Sequence, residues 1–127
     1  MSNRSLDLIK GTLDVLILKT VSWGPLHGYA ISRFLRDTTD AAFQVEEGAL
    51  YPALRRLEKK GWLASEWGLT DTGRQAKFYR LTPAGSRQLE VELDAWNRYV
   101  EAMARVLFEA RPTQVGTTQA RMAQAPS

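Results

Sequence analysis

Tyr51, Arg55, Arg56 and Lys59 fall within one short stretch, Glu46 to Leu63, and their side chains are of the types that contact nucleic acid. An Arg guanidinium bonds bidentately to guanine O6 and N7 or to a phosphate, and a Tyr ring stacks or its hydroxyl donates to phosphate. Leu50, Leu54 and Leu57 interleave with them at i, i+4 and i+7, so on a helix these leucines form a buried edge and leave the tyrosine and the cations outward. Glu46 and Glu47 place carboxylates at the positive N-terminal end of that helix, and Gly61 supplies its stop. Taken alone, the stretch has a second reading, an amphipathic surface helix whose charges are merely solvated.

The cations continue downstream. Residues 55–80 hold seven basic side chains, Arg55, Arg56, Lys59, Lys60, Arg74, Lys77 and Arg80, against three acidic ones, Glu58, Glu66 and Asp71. The formal net charge of the whole chain is only +3, so the concentration of charge carries more meaning than its total. Other chemistry is sparse. With no cysteine, disulfides, thiol catalysis and zinc fingers are excluded, and His27 is the only histidine, so no metal or cofactor is expected. His27 would be the sole imidazole base for an enzyme. It stands in a Gly-rich helix start, where a structural hydrogen bond is the stronger reading, and an enzymatic function ranks last.

The elements that must position these residues follow from periodicity. Leu8, Ile9, Leu13, Leu16, Ile17 and Val21 predict a first helix over residues 6–22, ended by Gly24-Pro25. His27 to Asp37 predicts a second, with Tyr29 or Ala30, Ile31, Phe34 and Leu35 as its buried stripe. Thr38 to Ala42 turns the chain, Phe43-Gln44-Val45 reads as a short extended link, and the basic stretch forms the third helix. Helices two and three make a helix-turn-helix candidate. Trp62 to Trp67 and Ala76 to Leu81 read as strands around a turn at Gly68 and Thr70 to Gln75. Leu63, Ser65 and Trp67 share one face, and Tyr79 and Leu81 can join the core. A ribbon directly after a basic third helix is the wing of a winged helix; the alternative is a plain capping hairpin.

Thr82-Pro83 is a helix start, since Thr caps free N–H groups and Pro is tolerated at the first helical position. The helix is expected to reach about Ala110. Along it Leu89, Leu93, Trp96, Val100, Met103 and Leu107 repeat at spacings of 4, 3, 4, 3 and 4, a heptad-like seam, with Ala95, Tyr99, Ala102 and Val106 beside it. A core of about 80 residues cannot cover both stripes, so a partner is implied, and a second copy of the chain is the simplest one. The expected organisation is a DNA-binding domain over 6–82, a dimerisation helix over 83–110 and a disordered tail over 111–127. The fold class is mostly α with a small β-hairpin. At 127 residues and 44% hydrophobic content the chain supports one modest core, with no membrane-spanning run and no signal-peptide pattern, so a cytoplasmic protein is expected.

Four segments in order match a known family: Gly11 to Leu18, Gly24 to Ile31, Gly48 to Gly61 and Lys77 to Gly85. Over about residues 6–109 the chain resembles the PadR family of winged-helix transcriptional regulators, in its smaller subfamily with a single C-terminal dimerisation helix. That resemblance implies a homodimeric repressor that sets two recognition helices into successive major grooves of a pseudo-palindromic double-stranded DNA operator. Tyr51, Pro52 and Arg55 are then the expected groove contacts, with Arg56, Lys59, Arg74 and Lys77 on phosphates. A typical wing of the family has adjacent basic residues before its aromatic strand; here Arg74-Gln75-Ala76-Lys77 dilutes them. Multidrug-sensing relatives stack planar aromatic effectors on a Trp in the stretch matching Trp96-Asn97-Arg98. Trp96 as ordinary filling of the seam is the favoured alternative. A competing function from another class is a dimeric scaffold that binds protein, with an incidental basic face.

Overall fold

The computed structural model describes Leu8 and residues 11–112. A boundary between two compact units falls between Glu92 and Leu93. The first unit holds α1 (Thr12–Thr20), β1 (Leu26–His27), α2 (Gly28–Thr38), α3 (Glu47–Lys59), β2 (Leu63–Leu69), β3 (Gln75–Leu81) and the start of α4 (Pro83–Ala104). The helix α1 starts later than the expected residue 6, because Gly11 takes a left-handed conformation, φ 89°, immediately before it. Of residues 6–10, only Leu8 is described; it packs against the core. A single 3-10 turn, Val21–Trp23, leads from α1 toward Pro25.

The core is built from the apolar edges of α1, α2 and α3 closed by the sheet: Ile17, Leu18 and Val21, then Ile31 and Leu35, then Leu50, Ala53, Leu54 and Leu57, with Val45, Leu63, Tyr79 and Leu89. The expected stripe of α2 is thereby corrected, since Ile31 and Leu35 are buried but Tyr29 and Phe34 are exposed. The Tyr29 ring instead carries the Arg33 guanidinium 5.6 Å from its centroid. His27 is the N-cap of α2, its Nδ1 accepting the Ala30 N–H at 3.3 Å. Between α2 and α3 the chain is held by side chains: Thr39 Oγ1 accepts the Phe43 N–H at 3.0 Å, and Ser32 Oγ donates to the Val45 carbonyl at 3.3 Å.

The expected hairpin is present, and a third strand joins it in the antiparallel order β1-β3-β2. Leu26 pairs with Tyr79 and His27 with Phe78, so the wing's inner strand is clasped by the residues that open α2. Two residues are too few to show alternation in a sequence. Thr82 knots the base of the wing to α4: its N–H donates to the Trp62 carbonyl at 3.1 Å, and its hydroxyl donates to the Gly61 carbonyl at 2.7 Å. The same oxygen accepts the Gly85 N–H at 2.9 Å, the cap expected of Thr82-Pro83. Gly85 is compulsory here, because a Cβ would lie 2.1 Å from the Trp62 carbonyl oxygen.

Leu89 is 6% exposed and belongs to this core, which removes it from the expected dimer seam. Unit two begins at Leu93 and holds the rest of α4 and a π-helical turn, Arg105–Glu109. Within it Leu93, Trp96, Val100, Met103 and Leu107 are all exposed, Trp96 and Tyr99 stack at 5.9 Å between ring centroids, and Asp94 pairs with Arg98 at 3.8 Å. The expected tail lies, from Thr113 onward, outside the described residues. Among the described residues no helix is long and apolar enough to cross a membrane.

Candidate nucleic-acid interface

Burying Leu50, Ala53, Leu54 and Leu57 fixes the rotation of α3, and the residues left outermost follow from helical spacing. Gly48, Pro52, Arg55 and Lys59, at spacings of 4, 3 and 4, form one exposed ridge. It is apolar and slim at its N-terminal half, where Gly48 has no side chain and no atom lies within 4 Å of where a Cβ would stand. It is cationic at its C-terminal half, the favourable end for positive charge on a helix. Pro52 lies inside the helix and has no N–H to give the Gly48 carbonyl, so that acceptor is released from the usual helical ladder.

On either side of the ridge the residues are tied into the domain. Arg56, expected on phosphate, donates from Nη2 to Asp14 Oδ1 of α1. Tyr51 is half-buried rather than outward, its ring lying so close to Gly28 that a Cβ there would be 2.7 Å from the Tyr51 hydroxyl. Gly28 thus permits the close crossing of α2 and α3, and Tyr51 fixes its distance. Glu58, which carried no role in the sequence reading, joins α3 to both wing strands: its carboxylate accepts from Ser65 Oγ at 2.7 Å and lies 3.9 Å from Lys77 Nζ. Lys77 was expected on phosphate and is shared with this carboxylate.

The wing is a full seven-residue ladder, Leu63 opposite Leu81 through Leu69 opposite Gln75. Its turn is closed by the Thr70 N–H to the Arg74 carbonyl at 2.8 Å and the Gly73 N–H to the Thr70 carbonyl at 2.9 Å. Arg74 is exposed at this tip, and Tyr79 is buried at the other end of the strand. Burial pushes the Tyr79 hydroxyl pKa up from its ordinary value; Glu58 and Tyr51 push the same way and Arg55 opposes them. The Glu58 contacts to Ser65 and Lys77 set α3 beside the base of the wing.

Of the seven residues expected at DNA, the structure therefore leaves Pro52, Arg55, Lys59 and Arg74 open, and engages Tyr51, Arg56 and Lys77 with protein partners. Asp14 and Glu58 are the residues that sequence reasoning missed. Their cationic partners, Arg56 and Lys77, stand 42 and 19 positions away, so no local pattern announces these pairs; the only signal was a lone carboxylate, Glu58, in a run of cations.

A family model described as the transcriptional regulator PadR-like family matches residues 17–91. A protein of Lysinibacillus sphaericus is 34% identical over 90 residues, covering 71% of this chain and 83% of its own. A transcriptional regulator of Mycobacterium tuberculosis is 43% identical over 74 residues, 58% of this chain and 64% of that one. The negative transcriptional regulator PadR of Bacillus subtilis is 26% identical, with only 42% of its length covered. Among solved structures, a transcriptional regulator from Clostridium thermocellum superposes with a TM-score of 0.72 at 31% identity, covering 80% of this chain and 99% of that one. A PadR family regulator from Eggerthella lenta gives 0.68 at 34% identity, covering 80% and 86%. With a winged helix of three helices and a three-stranded sheet, followed by a long C-terminal helix, the chain belongs to the PadR-like family of transcriptional regulators.

Proposed function

We propose that the chain is a homodimeric repressor that binds a pseudo-palindromic operator in the cytoplasm. The observation that carries this reading is the exposed ridge Gly48, Pro52, Arg55 and Lys59 on a helix whose opposite edge is fully buried. Such a ridge enters a major groove about 12 Å wide, with Gly48 and Pro52 allowing close approach and Arg55 able to reach a guanine edge. Lys59 and Arg74 hold phosphates on either side. Tyr51, Arg56 and Lys77 contribute mainly by setting the helix and the wing, Lys77 by adding charge beside Glu58.

Two copies are joined through Leu93, Trp96, Val100, Met103 and Leu107, whose exposure at heptad-like spacing calls for an apolar partner. The recognition helices then address half-sites about 34–36 Å apart, one turn of the duplex. Repression is supported by the Bacillus subtilis relative, a negative transcriptional regulator by name. The stacked pair Trp96 and Tyr99 offers a planar aromatic effector a place in that interface, and an effector that prefers one dimer geometry would lower operator affinity.

The test is selection from random duplex DNA at about 150 mM salt, where generic charge attraction is damped. A palindromic motif is the expected result. Retention without a motif would overturn the operator reading and favour a scaffold with an incidental basic face.

A further inference from the structure

Two carboxylates stand among the cations of the reading surface, and each is paired with one of them. Arg55, Arg56, Lys59, Arg74 and Lys77 make up the basic side chains of α3 and the wing considered above. Asp14 of α1 takes Arg56, and Glu58 of α3 takes Lys77 of β3, so each pair joins α3 to a neighbouring element.

The carboxylates are the fixed partners. The Asp14 side chain is 17% exposed and lies in the first turn of α1, where the helix dipole favours an anion. The Glu58 side chain is 34% exposed and is anchored by Ser65 Oγ at 2.7 Å. Arg56 and Lys77 are 49% and 41% exposed, so each cation sits half in solvent and is drawn inward by the acid behind it. Half-exposed pairs add little to folding stability, so stability alone does not account for two of them on this surface. Their larger consequence is for charge.

We propose that Asp14 and Glu58 are specificity-determining residues: each withholds one cation from generic phosphate contact, holding down affinity for DNA of any sequence while base reading by Arg55 is untouched. This deepens the operator reading above and rests on it. Binding without sequence preference comes from cation–phosphate contacts and counterion release, so every free cation strengthens it. In that generic mode the domain samples many registers and favours those in which most cations meet phosphates. On the operator, base contacts by Arg55 fix one register, and Arg56, turned toward α1 rather than along the ridge, adds little there. A cation released from its acid therefore strengthens generic binding more than operator binding. Because generic sites far outnumber operators, the ratio of the two affinities decides occupancy.

The experiment measures binding of the full chain to random-sequence duplex and to its selected operator across a salt series. Asp14→Asn and Glu58→Gln, the latter keeping an oxygen for Ser65, are each expected to raise affinity for random duplex on the order of fivefold at about 150 mM salt. The slope of log affinity against log salt steepens by about 0.9 for the cation released, and the operator-to-random ratio falls. Adding Arg56→Ala to Asp14→Asn returns both readings to wild type. Glu90→Gln, exposed on α4, changes the net charge equally and should leave the slope as it is. A matching gain in that control assigns the effect to overall charge and overturns the proposal. An unchanged slope in both variants overturns it too, as does an equal gain on operator and random duplex; Glu58→Gln carries the test alone if Asp14→Asn lowers the urea midpoint. A wild type that selects no operator removes the operator reading and the specificity role with it. The slopes on random duplex are read without any operator, so the two failures stay apart.

Discussion

The third helix and the chain beyond Leu93 carry the same signal, apolar residues at spacings of 4 and 3, with opposite outcomes. Leu50, Leu54 and Leu57 are at most 1% exposed, whereas Leu93, Trp96, Val100, Met103 and Leu107 range from 37% to 59%. Periodicity states which edge of a helix must be covered; it does not say what covers it. For α3 the cover comes from α1, α2 and the sheet within the same chain. For the terminal stripe the proposed cover is a second copy, since an apolar seam complements itself.

The strongest way to break that comparison is to charge the uncovered stripe. Leu93→Glu with Val100→Glu should raise the dimer dissociation constant by about a thousandfold or more, because two carboxylates from each copy would enter a dry seam at several kcal/mol each. Sedimentation velocity at micromolar concentration reads this as a shift to monomer, with the first unit still folded. A double variant that stays dimeric places the interface elsewhere. On the covered side, Leu54→Ala should cost about 2–5 kcal/mol in urea unfolding through the cavity it leaves. Val100→Ala should change the unfolding of a monomeric form by less than about 0.5 kcal/mol. Equal effects at the two positions would show that the terminal stripe is covered within the monomer.

Much of the architecture was legible in the sequence because it is written in local patterns. The bounds of α2 and α3, the ribbon and the Thr82 cap follow from spacings of a few residues. What escaped is non-local. The buried stripe of α2 includes Ile31 and Leu35 but not Tyr29 or Phe34, because α1, α3 and the sheet cover only a narrow edge. Leu89 fits a heptad as well as Leu93 does, and only its burial in the core separates them. At the interface the residue types were readable, but division of labour was not. Arg55 and Arg56 are neighbours of equal chemistry, and Asp14, 42 residues from Arg56, decides which one is free.

That division can be sharpened by single substitutions on α3. Arg55→Ala should weaken operator binding by about 1–3 kcal/mol and relax preference at one base position, as expected of a lost bidentate contact. Arg56→Ala should leave base preference intact and appear mainly as a small loss of stability, since a partly exposed ion pair contributes about 0–1 kcal/mol. Comparing the motifs selected by the two variants checks the assignment. Loss of a base preference in Arg56→Ala would mean that Asp14 releases the guanidinium when DNA arrives.

The smallest effect tests the covered side through a proton. Tyr79 is buried beneath the wing, and burial first, then Glu58 and Tyr51, raise its pKa above the ordinary value of 10.0, with Arg55 opposing. A raised pKa in the folded state means that the folded chain holds this proton more tightly than the unfolded one does. Below the unfolded value both states are protonated and the contribution is fully present; as pH rises past 10 the unfolded state alone ionises, and stability falls until the folded pKa is reached. Urea midpoints measured from pH 8 to 11 should therefore decline at the alkaline end, and Tyr79→Phe should flatten that decline. An identical alkaline slope in the Phe variant would assign the decline to other groups and would mean that the wing base admits water to Tyr79 in solution, weakening the contrast between a closed reader and an open seam.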